Sequence, residues 1–281
     1  FRSVAKTGLR LAVHAEKYEV IKREMEKTKA LNDLDTVAFT KSRPSLAEVE
    51  AISDVISFSR KTACKLHLCH LSSKEGVEIL RKHKPEVITV ETCPHYLLLN
   101  SKTMKKLGAF MKVYPPIRFQ EDSTALWAAI QDGTITIISS DHAPHSSEER
   151  SRSIWDAPAG ITSVEITVSL MLTQVNKGRL TLGQYVKLAS ENPAKAYGLY
   201  PWKGTIQVGS QADFTIIDMK KEATIRSELL HSKSKVTPFD GWKVQGVPLY
   251  TILRGRIIME NGNVSEPSFG LMIKPRIHSA T

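Results

Sequence analysis

Three short apolar runs in this chain each end on a residue that binds metals or moves protons. Leu9 to Val13 runs into His14-Ala15-Glu16, Lys65 to Cys69 runs into His70-Leu71-Ser72-Ser73, and Thr134 to Ile138 runs into Ser139-Ser140-Asp141-His142-Ala143-Pro144-His145. Runs of this length are predicted to be strands, the third also by its β-branched content. Each therefore delivers an imidazole or a carboxylate at a strand exit, where α/β barrels keep their catalytic groups. His, His and Asp are the nitrogen and oxygen donors that zinc-like divalent ions accept, and they meet only if the fold closes the long distances between them.

The segments between these runs read as helices. Tyr18 to Leu31 is predicted to be a polar helix, and Ser45-x-x-Glu48 has the pattern of a capping box. The helix that follows carries Leu46, Val49, Ile52 and Ile56 at three- and four-residue steps, one apolar stripe for packing on a sheet. Helix 74–83, strand 87–91, helix 122–132 and strand 134–138 continue an alternation whose natural architecture is a parallel sheet, half of an eight-stranded barrel. Strand alternation sends positions 66, 68 and 70 to one face and His67 to the other, which predicts that His67 looks toward the outer helices.

Beyond Asp141, residues 161–175 and 182–197 read as helices, the second broken at Asn192-Pro193. Short β runs follow at 214–217, 249–253 and 256–259, separated by turn residues. The expected organisation is a partial barrel over 1–200, part of a small β-sandwich over 201–270, and a tail over 271–281. That tail carries Lys274, Arg276 and His278 and has little pattern.

Composition removes several classes. With 281 residues, 41% of them hydrophobic, and no apolar stretch long enough to span a bilayer, the expectation is a soluble, cytoplasmic protein without a membrane partner. Three cysteines without Cys-x-x-Cys spacing or a signal peptide fit free thiols in a reducing compartment. The net charge of +10 is spread through helices as Lys and Arg mixed with Glu, so a solvated surface is expected and a nucleic-acid partner is not.

The motifs taken together resemble the cyclic amidohydrolases, the hydantoinases, allantoinases and dihydroorotases. The resemblance runs through Val13-His14-Ala15-Glu16, Arg43-Pro44 with Glu48 to Ile52, His67 to Ser73, Glu91-Thr92-Cys93-Pro94-His95-Tyr96, Pro115-Pro116-Ile117-Arg118 and the Asp141 segment. It continues through Asn192 to Lys195 and Lys203 to Ile206 to Gln211-Ala212-Asp213-Phe214. It implies hydrolysis of a small cyclic amide by two divalent ions, zinc first among the candidates with manganese and cobalt behind it. His14 and His70 would be ligands of one ion, and Asp141 a ligand of the other and the proton shuttle. His145 resembles a position that helps hold the substrate carboxylate in dihydroorotases, Gly160 and Ile161 a loop whose backbone meets the substrate ring, and Tyr114 a position where dihydroorotases usually carry Asn.

Two family features do not occur in this sequence: a His-x-His pair on the first barrel strand and the carboxylated lysine that bridges the metals. Both are expected upstream of Phe1, which makes the chain the C-terminal half of the barrel with its sandwich segment, from a homo-oligomeric enzyme, a dimer or tetramer. Such a half barrel, expressed alone, is expected to be inactive and to associate through its open strand edges. The main expectation is a hydantoinase- or allantoinase-like enzyme, with dihydroorotase as the near alternative. The remaining alternative is a scaffold protein that keeps the barrel and has lost its metals, and the residues upstream of Phe1 discriminate it.

Overall fold

The computed structural model describes residues 1–30, 36–83, 87–265 and 269–275. Leu31, Arg276 and His278, named above, lie outside the described residues. The first of two compact units comprises Phe1–Glu165 and Arg226–Asp240. It is built on four parallel strands, β1 (Leu11–Val13), β2 (Leu66–Leu68), β3 (Ile88–Thr92) and β4 (Ile137–Ile138), lying in that order. Ala12 pairs with His67 and His67 with Thr89, while Thr92 pairs with Ile138. The connections carry α1 (Tyr18–Ala30), α2 (Ser45–Thr62), α3 (Lys74–Lys82) and α4 (Gln120–Gln131), so the unit is α/β as expected.

Side-chain chemistry explains which face is covered. Leu66, Leu68, Ile88 and Val90 are buried, and α2 packs beside β2. The opposite face carries exposed Ala12 and half-buried Thr89 and Glu91. His67 belongs to that second face: its Nδ1 lies 2.8 Å from Thr89 Oγ1 and its Nε2 3.0 Å from Glu91 Oε2. The alternation was read correctly, but the side was not; His67 looks away from the helices. Its own strand ends at Leu68, and His70 adopts φ +39°, so the alternation does not extend to His70, whose ring comes round to the other side.

Helix α2 also departs from its predicted start. Its N-cap is Pro44, with no side-chain cap, and Ser45 and Glu48 form no capping box. The buried face is Ala47, Glu48, Ala51, Ile52, Val55, Ile56 and Ser59, whereas Leu46 is 46% exposed. Glu48 turns inward because a stronger use awaits it: its carboxylate accepts from Ser72 N at 2.9 Å and from Ser72 Oγ at 3.1 Å.

The second unit comprises Ile166–Ile225 and Gly241–Thr281. Its sheet is antiparallel, β5 (Phe214–Thr224), β6 (Lys243–Leu253), β7 (Arg256–Glu260) and β8 (Asn263–Val264) in sequence order. Helix α5 (Thr167–Asn176) lies on β6: Thr173 Oγ1 accepts from Gln245 N at 2.9 Å, and a Cβ on Gly246 would fall 2.7 Å from Leu172 Cβ. These contacts lie within the second compact unit, which begins at Ile166. The expected helix over 182–197 is two short α segments, Leu182–Val186 and Asn192–Ala196, flanking a π turn at Lys187–Glu191. Pro193 supplies no amide to the preceding turn, which widens.

Candidate active site

The first unit brings His14 and His70 into contact. His14 Nδ1 and His70 Nε2 lie 2.9 Å apart, with ring centroids at 4.7 Å and planes inclined by 68°. The other nitrogen of His14, Nε2, lies 2.9 Å from Glu16 Oε2. That carboxylate takes a bidentate clasp from Arg43, Nε at 3.2 Å and Nη2 at 2.5 Å, and its side chain is 1% exposed. Burial opposes the charge on Glu16, but the His14 and Arg43 hydrogen bonds hold its carboxyl below the usual range. With Nε2–H donated to Glu16, the His14 lone pair sits on Nδ1, aimed at His70. Burial, and then His14 beside it, push His70 down to about 4, so it is neutral at pH 7. Two imidazole nitrogens 2.9 Å apart, one ring backed by a carboxylate, are a donor set suited to a divalent cation.

A buried polar network ties the two histidine loops together. Glu48 on α2 holds Ser72, two residues past His70, while Arg43 just before α2 holds Glu16, two residues past His14. Arg118 joins the halves, donating from Nε to Ser72 Oγ at 2.9 Å and from Nη1 to the Arg43 carbonyl at 3.0 Å, with Nη2 3.7 Å from Glu48. Sequence reasoning quoted Glu16, Arg43 and Arg118 without a role and read Glu48 as part of a capping box. The available signal was local: Glu16 lies two residues past His14, Arg43 directly precedes Pro44, and Arg118 follows Pro115-Pro116-Ile117.

Asp141 follows β4 and adopts φ +45°, a strained backbone for a residue other than glycine. It does not cap the next helix; Ser146 does, accepting from Glu149 N through its own hydroxyl at 3.2 Å. Burial, then the negative charge of Glu91, raises the Asp141 carboxyl above its ordinary value, with His14 pulling the other way. An Asp141 oxygen, Cys93 Sγ and a His95 nitrogen lie within 4.8 Å of one another, as do the ligand atoms of His67, Cys69 and Glu91.

The remaining expected residues surround the Asp141 loop or the Arg43 clasp. His142 bridges to Ile161, and Ala143 N donates to the Ile161 carbonyl at 3.1 Å. Gly160, at φ +151°, leaves room that a Cβ would close, 2.4 Å from the Ala143 carbonyl oxygen, and its amide donates to Lys112 O at 2.9 Å. His145 Nε2 sits 3.1 Å from the Ala159 carbonyl. Tyr114 is stacked between Phe39, centroids 5.9 Å apart, and the Arg43 guanidinium, 3.9 Å over its ring. Its ring therefore braces the residue that clasps Glu16.

Parallel β-α units with His, His and Asp at strand exits place candidate metal donors where α/β barrels keep their catalytic groups. The amidohydrolase family model matches residues 1–258, and the chain belongs to that family. An L-hydantoinase of Paenarthrobacter aurescens is 35% identical over the whole chain and 63% of its own length. A dihydroorotase of Methanothermobacter thermautotrophicus is 38% identical over 91% of the chain and 58% of its own length. The solved L-hydantoinase (dihydropyrimidinase) from Arthrobacter aurescens superposes with a TM-score of 0.91 at 35% identity, covering 94% of this chain and 60% of that one. The chain thus spans about three-fifths of the relatives it matches.

Proposed function

We propose that the protein opens the ring of a cyclic amide by metal-dependent hydrolysis, with a hydantoin- or allantoin-like ureide as substrate. The observation that carries this reading is the 2.9 Å approach of His14 Nδ1 to His70 Nε2, with Glu16 on the far side of His14. His14 and His70 would hold one ion and Asp141 the other, zinc being the first candidate. A carboxylated lysine from upstream would complete the site. When bound, such an ion pair lowers the pKa of a water toward neutrality and polarises the amide carbonyl. Asp141 takes a proton from the attacking water and returns it to the ring nitrogen as the C–N bond breaks. A raised carboxyl pKa suits a group that must both accept and release a proton. The Gly160–Ile161 backbone, His145 and Tyr114 remain the proposed substrate contacts.

The same reading takes 1–200 as the C-terminal half of a barrel, 201–270 as part of a β-sandwich and 271–281 as a tail, in a cytoplasmic homo-oligomer. Among the described residues no helix is long and apolar enough to cross a membrane.

Dihydroorotate hydrolysis is the second reading, favoured by relatives such as the Methanothermobacter thermautotrophicus dihydroorotase. Against it stands Tyr114, whose ring is committed to Phe39 and Arg43 and offers no amide. Losing a substrate hydrogen bond costs about 1–3 kcal/mol. The metal-loaded intact protein, assayed on hydantoin, allantoin, dihydropyrimidine and dihydroorotate, should turn over dihydroorotate less efficiently than the best of the others. Highest efficiency on dihydroorotate would reverse the ranking.

A further inference from the structure

Asp141 also belongs to a second group of metal-type donors, whose other two members, Cys93 and His95, the proposed hydrolysis does not use. Cys93 ends the β3 exit, His95 follows it across Pro94, and their ligand atoms lie within 4.8 Å of an Asp141 oxygen and of each other. Both side chains are fully buried. Neither ring nitrogen of His95 has a hydrogen-bond partner. Buried imidazole nitrogens are ordinarily satisfied, and two unsatisfied ones on one ring call for an occupant. Cys93 is a free thiol whose Sγ has a long contact, 3.6 Å, to Ser139 Oγ.

The neighbouring His67, Cys69 and Glu91 group is a weaker candidate. There His67 is bonded to both Thr89 and Glu91, so its donors are spent within the protein. One sulfur, one imidazole nitrogen and one carboxylate oxygen select a soft or borderline divalent ion such as zinc or cadmium, and disfavour magnesium and calcium.

We propose that Cys93, His95 and Asp141 form an additional soft-metal site, distinct from the His14–His70 pair, and that filling it inhibits the enzyme by drawing Asp141 out of its proton-carrying position. On binding, the Cys93 S–H bond breaks, a sulfur–metal bond forms, and the proton passes to bulk water; the metal keeps its oxidation state. The inhibitory half rests on the proposed role of Asp141, whereas the binding half stands without it.

The test titrates the intact protein, already saturated with its resident metal, with cadmium. Ultraviolet thiolate-to-cadmium charge transfer and residual hydrolysis are read together. Imidazole and carboxylate ligation alone gives no such band, so the signal reports a cysteine. The expected result is one further equivalent with the band, and hydrolysis falling over the same concentration range. Cys93→Ser should abolish the band and raise the inhibitory cadmium concentration at least tenfold, while Cys69→Ser leaves both unchanged. If Cys93→Ser does not fold, His95→Gln is the replacement and should weaken cadmium binding at least tenfold. A band that survives Cys93→Ser, or that vanishes with Cys69→Ser, overturns the site. A Cys93-dependent band without loss of hydrolysis overturns the inhibitory role. A protein inactive on every ring but showing that band keeps the site and rejects the hydrolase reading.

Discussion

Glu16 fixes which nitrogen His14 can offer. Its carboxylate occupies Nε2 at 2.9 Å and is itself clasped by Arg43, so only Nδ1 can turn toward His70. Glu16→Gln removes the charge while keeping the size, and leaves the Arg43 guanidinium buried without its counter-ion. Metal affinity of the intact protein should fall about 10- to 100-fold, the usual loss when a partner behind a ligating histidine is changed. Metal content after graded chelator dialysis reads this, and an unchanged affinity would remove Glu16 from the site. His95 makes a separate prediction. Burial depresses it to about 3, against an ordinary 6.5, so the folded protein binds fewer protons there than the unfolded chain between those values. Stability is therefore full above pH 6.5 and is lost as pH falls, by up to about 1.4 kcal/mol per pH unit for one site. Urea midpoints of metal-free protein should drop between pH 7 and pH 5, and drop less in His95→Gln. Equal pH slopes in the two proteins would contradict this. Sequence reasoning proposed His14, His70 and Asp141 as ligands, because a ligand type at a strand exit is a local pattern. It left His95 without a role, because burial with unpaired nitrogens is a property of packing.

Helix α2 works as the brace between the two histidine loops. Its first turn sends Glu48 inward to Ser72, and the residue before Pro44 sends Arg43 to Glu16, with Arg118 spanning both. Buried and with its carboxyl raised by burial against the pull of Arg118, Glu48 is costly alone and useful only in this network. Glu48→Ala leaves Ser72 N without its acceptor and Arg118 with an uncompensated charge. It should destabilise the protein by about 3–5 kcal/mol, the range for breaking a buried pair from one side. Chemical denaturation measures it, and a loss below about 1 kcal/mol would mean that the network relaxes without cost. The four strands and α1 to α4 were legible within a few residues because periods of 3.6 and 2 are written in the chain; the short helices Thr36–Ser42, Pro94–Leu98 and Ser101–Leu107 were not read. The function of the α2 start was not. Ser45-x-x-Glu48 satisfies the local capping pattern, and a partner 24 positions away outcompeted it.

At the scale of the molecule, four parallel strands place three sequence-distant exits on one side of a sheet, the condition under which His14, His70 and Asp141 can serve one reaction. The short β runs of the second unit were foreseen; their antiparallel pairing and the seat of α5 on β6 were not. Its attachment to β6 through Thr173 and the gap over Gly246 depends on a pairing about 70 residues away that no local pattern encodes. The central claim, that Asp141 carries the proton in a metal-dependent hydrolysis, is tested most directly by Asp141→Asn in the intact protein, with turnover and circular dichroism measured on the same sample. An amide cannot shuttle a proton, so the turnover rate should fall about 100- to 10,000-fold with the fold intact. Turnover within about threefold of the unaltered protein would contradict the account.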